Sequence, residues 1–186
     1  PLLISWSGKS ELRTLTKSEW VGGSPALVGD ALLCGFYLNE LLVKFLARED
    51  AYETLYDQYA STVYALSQIM ESGAGIEQTL RPFELALLRE TGYAAALDHC
   101  VETQTKPVGT ERYVYQPEKG IRPLQSDDPG HWPVLTGLAL EAMANGDFSD
   151  AETLTQSKQL MRFLLGIHLQ DQQLTTRQIL IDLKKI

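Results

Sequence analysis

Between Ala26 and Thr91 the apolar residues recur at steps of three and four, in three helix-length stretches separated by breakers. Such a period places side chains on one side of an α-helix, so the centre of this chain is committed to packed helices. The first stretch, Ala26 to about Arg48, carries Leu32, Leu33, Phe36, Tyr37, Leu41, Leu42, Phe45 and Leu46 in a broad stripe. Ser24-Pro25 ahead of it supplies an N-cap and a proline at the first helical position. The second, about Ala51 to Met70, carries Leu55, Tyr59, Val63, Leu66 and Ile69, and Ser72-Gly-Ala-Gly75 is expected to end it. The third, about Ile76 to Thr91, turns Leu80, Phe83, Leu87 and Leu88 inward and stops at Gly92. Pro82 falls in its first turns or at a kink.

The flanks change period. Pro1-Leu-Leu-Ile-Ser-Trp, the turn Ser7-Gly8-Lys9-Ser10 and the alternating Glu11-Leu-Arg-Thr-Leu-Thr predict two strands over 1–21. A lone hairpin is marginal in water, so it needs more sheet or a helical surface to lie on. The first residue is not Met, and a preceding N-terminal part is expected. Residues 101–131 are rich in turn formers around Arg112-Tyr-Val-Tyr and Gly120-Ile-Arg, which predicts a small β insert. Helix returns over Pro133–Ala144. Ser149-Asp-Ala-Glu152 is expected to open a longer helix to about His168 as a capping box. Thr175 or Thr176 then caps a last helix through Lys184. The expected class is mainly α (α+β), with a β start and a β insert.

The chain has 186 residues, 16 basic against 24 acidic, for a formal charge of −8. An acidic body argues against coating nucleic acid by bulk charge. The excess sits in the middle: residues 51–100 hold two basic and seven acidic groups, and 101–150 four and eight. Residues 151–186 reverse this with five basic and three acidic. No run of 18 apolar residues is present, so no membrane-spanning helix is expected, and no signal-peptide pattern opens the chain. Two cysteines, Cys34 and Cys100, are too few for a disulfide scaffold. Composition therefore points to an intracellular globular protein.

No catalytic constellation stands out. A Walker-type phosphate loop, a Gly-rich dinucleotide turn and a nucleophile elbow are all missing from the sequence, so no catalytic residue and no cofactor are expected. Asp98-His99-Cys100 and His131 bracket the β insert, but adjacent His99 and Cys100 are badly aimed for one ion, and three residues beyond Cys100 stands Thr103. No metal site is assigned, and Cys100 reads best as a small buried apolar residue. Asp127-Asp128, between Ser126 and Pro129, reads as turn chemistry. Tyr52, Tyr56 and Tyr59 share a helical face and read as core or interface. What remains is a few arginines on apolar helices: Arg81, Arg162 and Arg177. Each either pairs internally, with Glu84, Glu90 or Asp182, or lines a groove for a peptide with acidic and apolar groups.

The assembled motifs resemble the RecO family of bacterial recombination mediators. The likeness rests on Gly35-Phe-Tyr-Leu-Asn-Glu-Leu-Leu with Tyr37, Asn39, Glu40 and Leu41, on Leu80-Arg-Pro-Phe-Glu-Leu-Ala-Leu-Leu, on Thr91-Gly-Tyr93 and Leu97-Asp-His-Cys100, on Tyr113-Val-Tyr-Gln-Pro-Glu-Lys-Gly120, and on Thr176-Arg177-Gln-Ile-Leu. These occur in family order over nearly the whole chain. The resemblance implies that residues 1–23 are the last strands of an OB-fold, that 24–100 and 132–186 form a helical domain, and that 101–131 is a zinc-ribbon-like insert. Many relatives hold zinc there with four cysteines; only Cys100 matches, so the insert resembles the metal-free members. The resemblance further implies a non-enzymatic, cytoplasmic protein, nucleoid-associated during repair. Such a protein binds single- and double-stranded DNA, anneals strands coated with single-stranded DNA-binding protein (SSB), and works with RecR to load RecA. Lys9, Arg13 and Lys17 are then the expected DNA contacts, unless they are ordinary solvated strand edges. Arg81 first, then Arg162 and Arg177, are expected to take the acidic C-terminal tail of SSB. The alternative is a helical interaction or regulatory domain without nucleic-acid binding.

Overall fold

A computed structural model describes residues 2–10, 12–23, 26–48, 50–69, 75–94, 96–169, 174–176 and 178–179. Two strands, β1 (Leu2–Ser7) and β2 (Thr14–Trp20), precede three helices, α1 (Gly29–Phe45), α2 (Glu53–Ser67) and α3 (Ile76–Glu90). Strands β3 (Arg112–Gln116), β4 (Gly120–Pro123) and β5 (Val134–Thr136) follow, then α4 (Gly137–Ala144) and α5 (Ala151–Leu169). The class is mainly helical with two small antiparallel sheets, one ordered β1-β2 and the other β4-β3-β5.

The helical centre is built around α3, which packs against α1, α2 and α5. Leu80, Phe83, Leu87 and Leu88 are buried as their spacing predicts. Arg81, Glu84 and Leu85 are buried too, so α3 is enclosed on more than one face. Pro82 lies within the helix, where it removes one backbone donor. Gly75 is not the end of α2 but the residue before α3, in the left-handed region at φ 90°; Ser24, Pro25 and residues 70–74 lie outside the described set. At the other end of α3, Tyr93 N–H donates to Leu88 O (2.7 Å) and Gly92 N–H to Arg89 O (3.0 Å), with Gly92 at φ 77°. That is a Schellman stop, and it explains the Thr91-Gly-Tyr93 motif.

Periodicity misassigned part of the α1 face. Ala31, Cys34, Gly35, Leu38 and Leu41 are buried, whereas Leu32 is 41% and Phe36 53% exposed. The helix is apolar almost all round, so spacing alone does not choose its inner face; the packing of α2 and α3 does. Two boundaries also move. Val134–Thr136 is a strand paired with β3 rather than helix, and Thr136 then caps α4 by accepting from Ala139 N–H. Asp150, not Ser149, caps α5 by accepting from Thr153 N–H (2.8 Å), while Ser149 bonds Asp147.

The β1–β2 hairpin is exposed on both faces. Its register places Leu2 opposite Trp20, Ile4 opposite Ser18 and Trp6 opposite Leu15, with a bulge between Ser5 and Trp6. Cross-strand partners share a face, so one side is apolar except for Ser18 and the other polar except for Leu3. The three-stranded sheet is better covered: Tyr113, Val114, Tyr115, Ile121 and Leu135 are buried within it.

Candidate functional site

The Tyr-x-Asn-Glu run of α1 points to three different neighbours. Tyr37 Oη donates to Glu84 Oε1 on α3 (2.5 Å). Tyr59 Oη of α2 donates to Asn39 Oδ1 (2.7 Å). Glu40 accepts from the backbone N–H groups of Thr175 (2.8 Å) and Thr176 (2.9 Å) and from the Thr176 hydroxyl (2.6 Å), and pairs with Lys44 at 3.3 Å. Burial opposes the charge on Glu40, but the Thr176 hydroxyl, the two amides and Lys44 outweigh it and hold the carboxyl down at about 2. The C-terminal turn is therefore capped by a side chain from α1, 135 positions earlier in the chain.

Arg81 is 7% exposed, and its guanidinium pairs with Glu84, which is 2% exposed. Of the two readings of this arginine, the internal pair with Glu84 is the one formed. Burial pushes the Glu84 carboxyl up, against the pull of Arg81 and of the Tyr37 hydroxyl. Arg81 Nε is buried without a hydrogen-bond partner. Cys34 lies in the same environment, and burial together with the charge of Asp30 pushes its thiol up to about 11.

The seam between α3 and α5 gathers cations. Lys158 of α5 pairs with Glu77 of α3, and that hydrogen bond holds the Glu77 carboxyl low with help from Arg81 and Arg162. Arg162 is exposed on α5. Lys158 and Arg81 are thus each paired with a carboxylate, Glu77 and Glu84, and Arg162 acts on Glu77 only at longer range. Lys158 was missed in the sequence because its partner is 81 residues away. Arg177 lies outside the described residues. At the other ends of α3 and α5, Tyr93 stacks on His168 with ring centroids 3.8 Å apart and meets Phe45 edge-on at 5.8 Å; burial lowers the His168 pKa and favours the neutral ring.

The three basic residues expected on the hairpin are all exposed. Lys17 pairs with Glu19 across 2.7 Å, and the Arg13 guanidinium lies over the Trp6 ring at 5.8 Å. Lys9 lies in the turn between the strands.

Among the described residues, no group of three or more His, Cys, Asp or Glu is placed to hold a metal ion, and no helix is long and apolar enough to cross a membrane. His99 bonds Asp98 at 2.9 Å, and His131 lies edge-on to Trp132. Asp128, read from the sequence as a turn residue, does accept from Gln125 N–H (2.7 Å), but it also forms a two-point ion pair with Arg122.

Comparison with known proteins adds a family. Residues 27–178 match the family model described as "Recombination protein O C terminal". The chain is 76% identical over all 186 residues to "DNA repair protein RecO" of Polynucleobacter asymbioticus, covering 76% of that protein, and 75% identical to the protein of the same name from Polynucleobacter necessarius, again covering 76%. It is 53% identical to "DNA repair protein RecO" of Ralstonia nicotianae, covering 66% of its length.

Proposed function

The chain belongs to the RecO family of DNA repair proteins, and from that premise we propose that it works as a non-enzymatic recombination mediator. In this reading it binds DNA through its β part and the SSB tail through its helical part, anneals complementary strands, and cooperates with RecR in loading RecA. The single observation that carries the helical half is the Lys158–Glu77 pair that ties α5 to α3, with exposed Arg162 one turn further along the same helix. An acidic peptide is drawn to these two cations, and charge-assisted hydrogen bonds from arginine hold a carboxylate.

For the β half, the apolar face of the hairpin carries Leu2, Ile4, Trp6, Leu15 and Trp20 in the open. An exposed apolar sheet face of this kind suits a strand pair that belongs to a larger barrel, here an OB-fold. Lys9, Arg13 and Lys17 then contribute phosphate contacts. The protein is placed in the cytoplasm, at the nucleoid during repair, and the β insert takes a ribbon shape.

Fluorescence anisotropy with an SSB-tail peptide tests the helical site. Arg162→Ala and Lys158→Ala, both on the exposed side of the seam, are expected to weaken binding about tenfold each. Arg81→Ala is read beside its melting curve, because it also breaks the Glu84 pair; unchanged affinity in a folded Arg81→Ala protein removes Arg81 from the site. On single-stranded DNA, a salt series with Lys9, Arg13 and Lys17 reversed to Glu should give weaker binding and a shallower slope. Wild-type protein that shows no salt-dependent DNA binding would leave a helical interaction domain as the better reading.

A further inference from the structure

We infer that the β insert is closed by an arginine-centred polar clamp on Arg122, so that it holds its shape without a metal. The donor set does not fit zinc. Cys100, at the start of the insert, is buried and is the one thiol near it. Three residues on, the Thr103 hydroxyl bonds the Thr105 hydroxyl at 2.6 Å. Neutral hydroxyls are poor zinc ligands, and thiolate or imidazole groups do not converge on Cys100 among the described residues. The turn is instead closed by its backbone: Cys100 N–H donates to Thr105 O and Gln104 N–H to Cys100 O, both at 2.8 Å.

All three guanidinium nitrogens of Arg122 are engaged. Nε donates to Gln116 Oε1 of β3 (3.1 Å), Nη1 to the Pro123 carbonyl and to Asp128 Oδ2 (both 3.0 Å), and Nη2 to Asp128 Oδ1. The guanidinium also lies over the Trp132 ring at 5.7 Å. Asp128 in turn accepts from Gln125 N–H, so its carboxylate closes a loop turn as well as the pair. One side chain thereby joins the β3–β4 hairpin, the loop at 125–128 and the approach to β5. Tying several chain segments to a single point is what a structural metal does for a module too small to build its own core. Arginine is suited to it because its fork is planar, permanently charged and able to bind a carboxylate at two points.

The clamp makes the insert indifferent to chelators and to added zinc. The test uses the whole chain, with metal content, thermal unfolding with and without chelator, and hydrogen exchange across 97–136. Expected are substoichiometric zinc, an unchanged melting curve in chelator, and amide exchange in 112–136 that rises roughly tenfold in Arg122→Lys and Asp128→Asn while α1–α3 amides keep their protection. Arg122→Lys keeps the charge without the fork, so it remains informative if Asp128→Asn fails to fold. One tightly held zinc per chain, a melting point that falls in chelator, or exchange in Arg122→Lys that is unchanged or raised equally across the whole chain would each overturn the inference.

Discussion

Within four consecutive positions of α1, Tyr37, Asn39 and Glu40 each leave the helix for a different partner, on α3, α2 and the C-terminal turn. Glu40 carries the most testable consequence. Its carboxyl is held at about 2 against an ordinary 4.5, so its contribution is fully present above pH 4.5 and is lost as pH falls toward 2. At about 1.4 kcal/mol per unit, that amounts to on the order of 3 kcal/mol. Urea unfolding at neutral pH and at stepped acidic pH should show Glu40→Gln less stable by a comparable amount, with the difference narrowing below pH 4.5. A second prediction concerns the buried pair. Glu84→Gln strands the Arg81 charge and should cost about 3–5 kcal/mol, whereas Arg81→Met with Glu84→Leu should cost much less. A double-mutant cycle by denaturant unfolding reads the difference directly.

Among the elements, the start of α4 is the tightest junction. A Cβ built on Gly137 would stand 2.6–2.7 Å from the Val108 backbone, and the Gly137 and Leu138 amides bond Glu111 O (3.1 Å) and Gly109 O (2.8 Å). Because the obstacle is main chain held by those bonds, Gly137→Ala should destabilise the protein by about 1–3 kcal/mol in thermal or urea unfolding. The same junction shows why the sequence reading placed a helix start at Pro133. Leu135, Leu138, Leu140 and Met143 satisfy a helical spacing, and only pairing with β3 turns the first of them into strand. The cap of α5 slipped by one residue for a similar reason, since Ser149 and Asp150 are both good caps and Asp147 takes Ser149.

For the molecule as a whole, the charge of −8 and the family's DNA-repair role are reconciled by location. The acidic excess belongs to residues 51–150, while the hairpin carries Lys9, Arg13 and Lys17 with the exposed Trp6 and Trp20. The proposed barrel predicts a change in accessibility. In this chain Trp6 and Trp20, 53% and 67% exposed, should be readily quenched by acrylamide and Trp132 less so. In a protein of the full length of its relatives, the hairpin tryptophans should become protected. Equal quenching in the two proteins would count against the barrel.

Period and punctuation in the sequence determined that three helices follow one another between the hairpin and the insert, and the ordered motifs carried the family resemblance. These are local signals, readable because residues three or four apart on a helix must share a face. Tertiary structure alone decided which face of α1 is inside, that Arg81 is spent on Glu84, that Lys158 reaches Glu77, and that Arg122 gathers Gln116, Asp128 and Trp132. Glu40 meets Thr175 across 135 positions, and no spacing encodes such a meeting. It exists because burying the apolar faces of α1, α2, α3 and α5 together brings those polar groups within hydrogen-bond distance, where leaving them unpaired would cost more than pairing them.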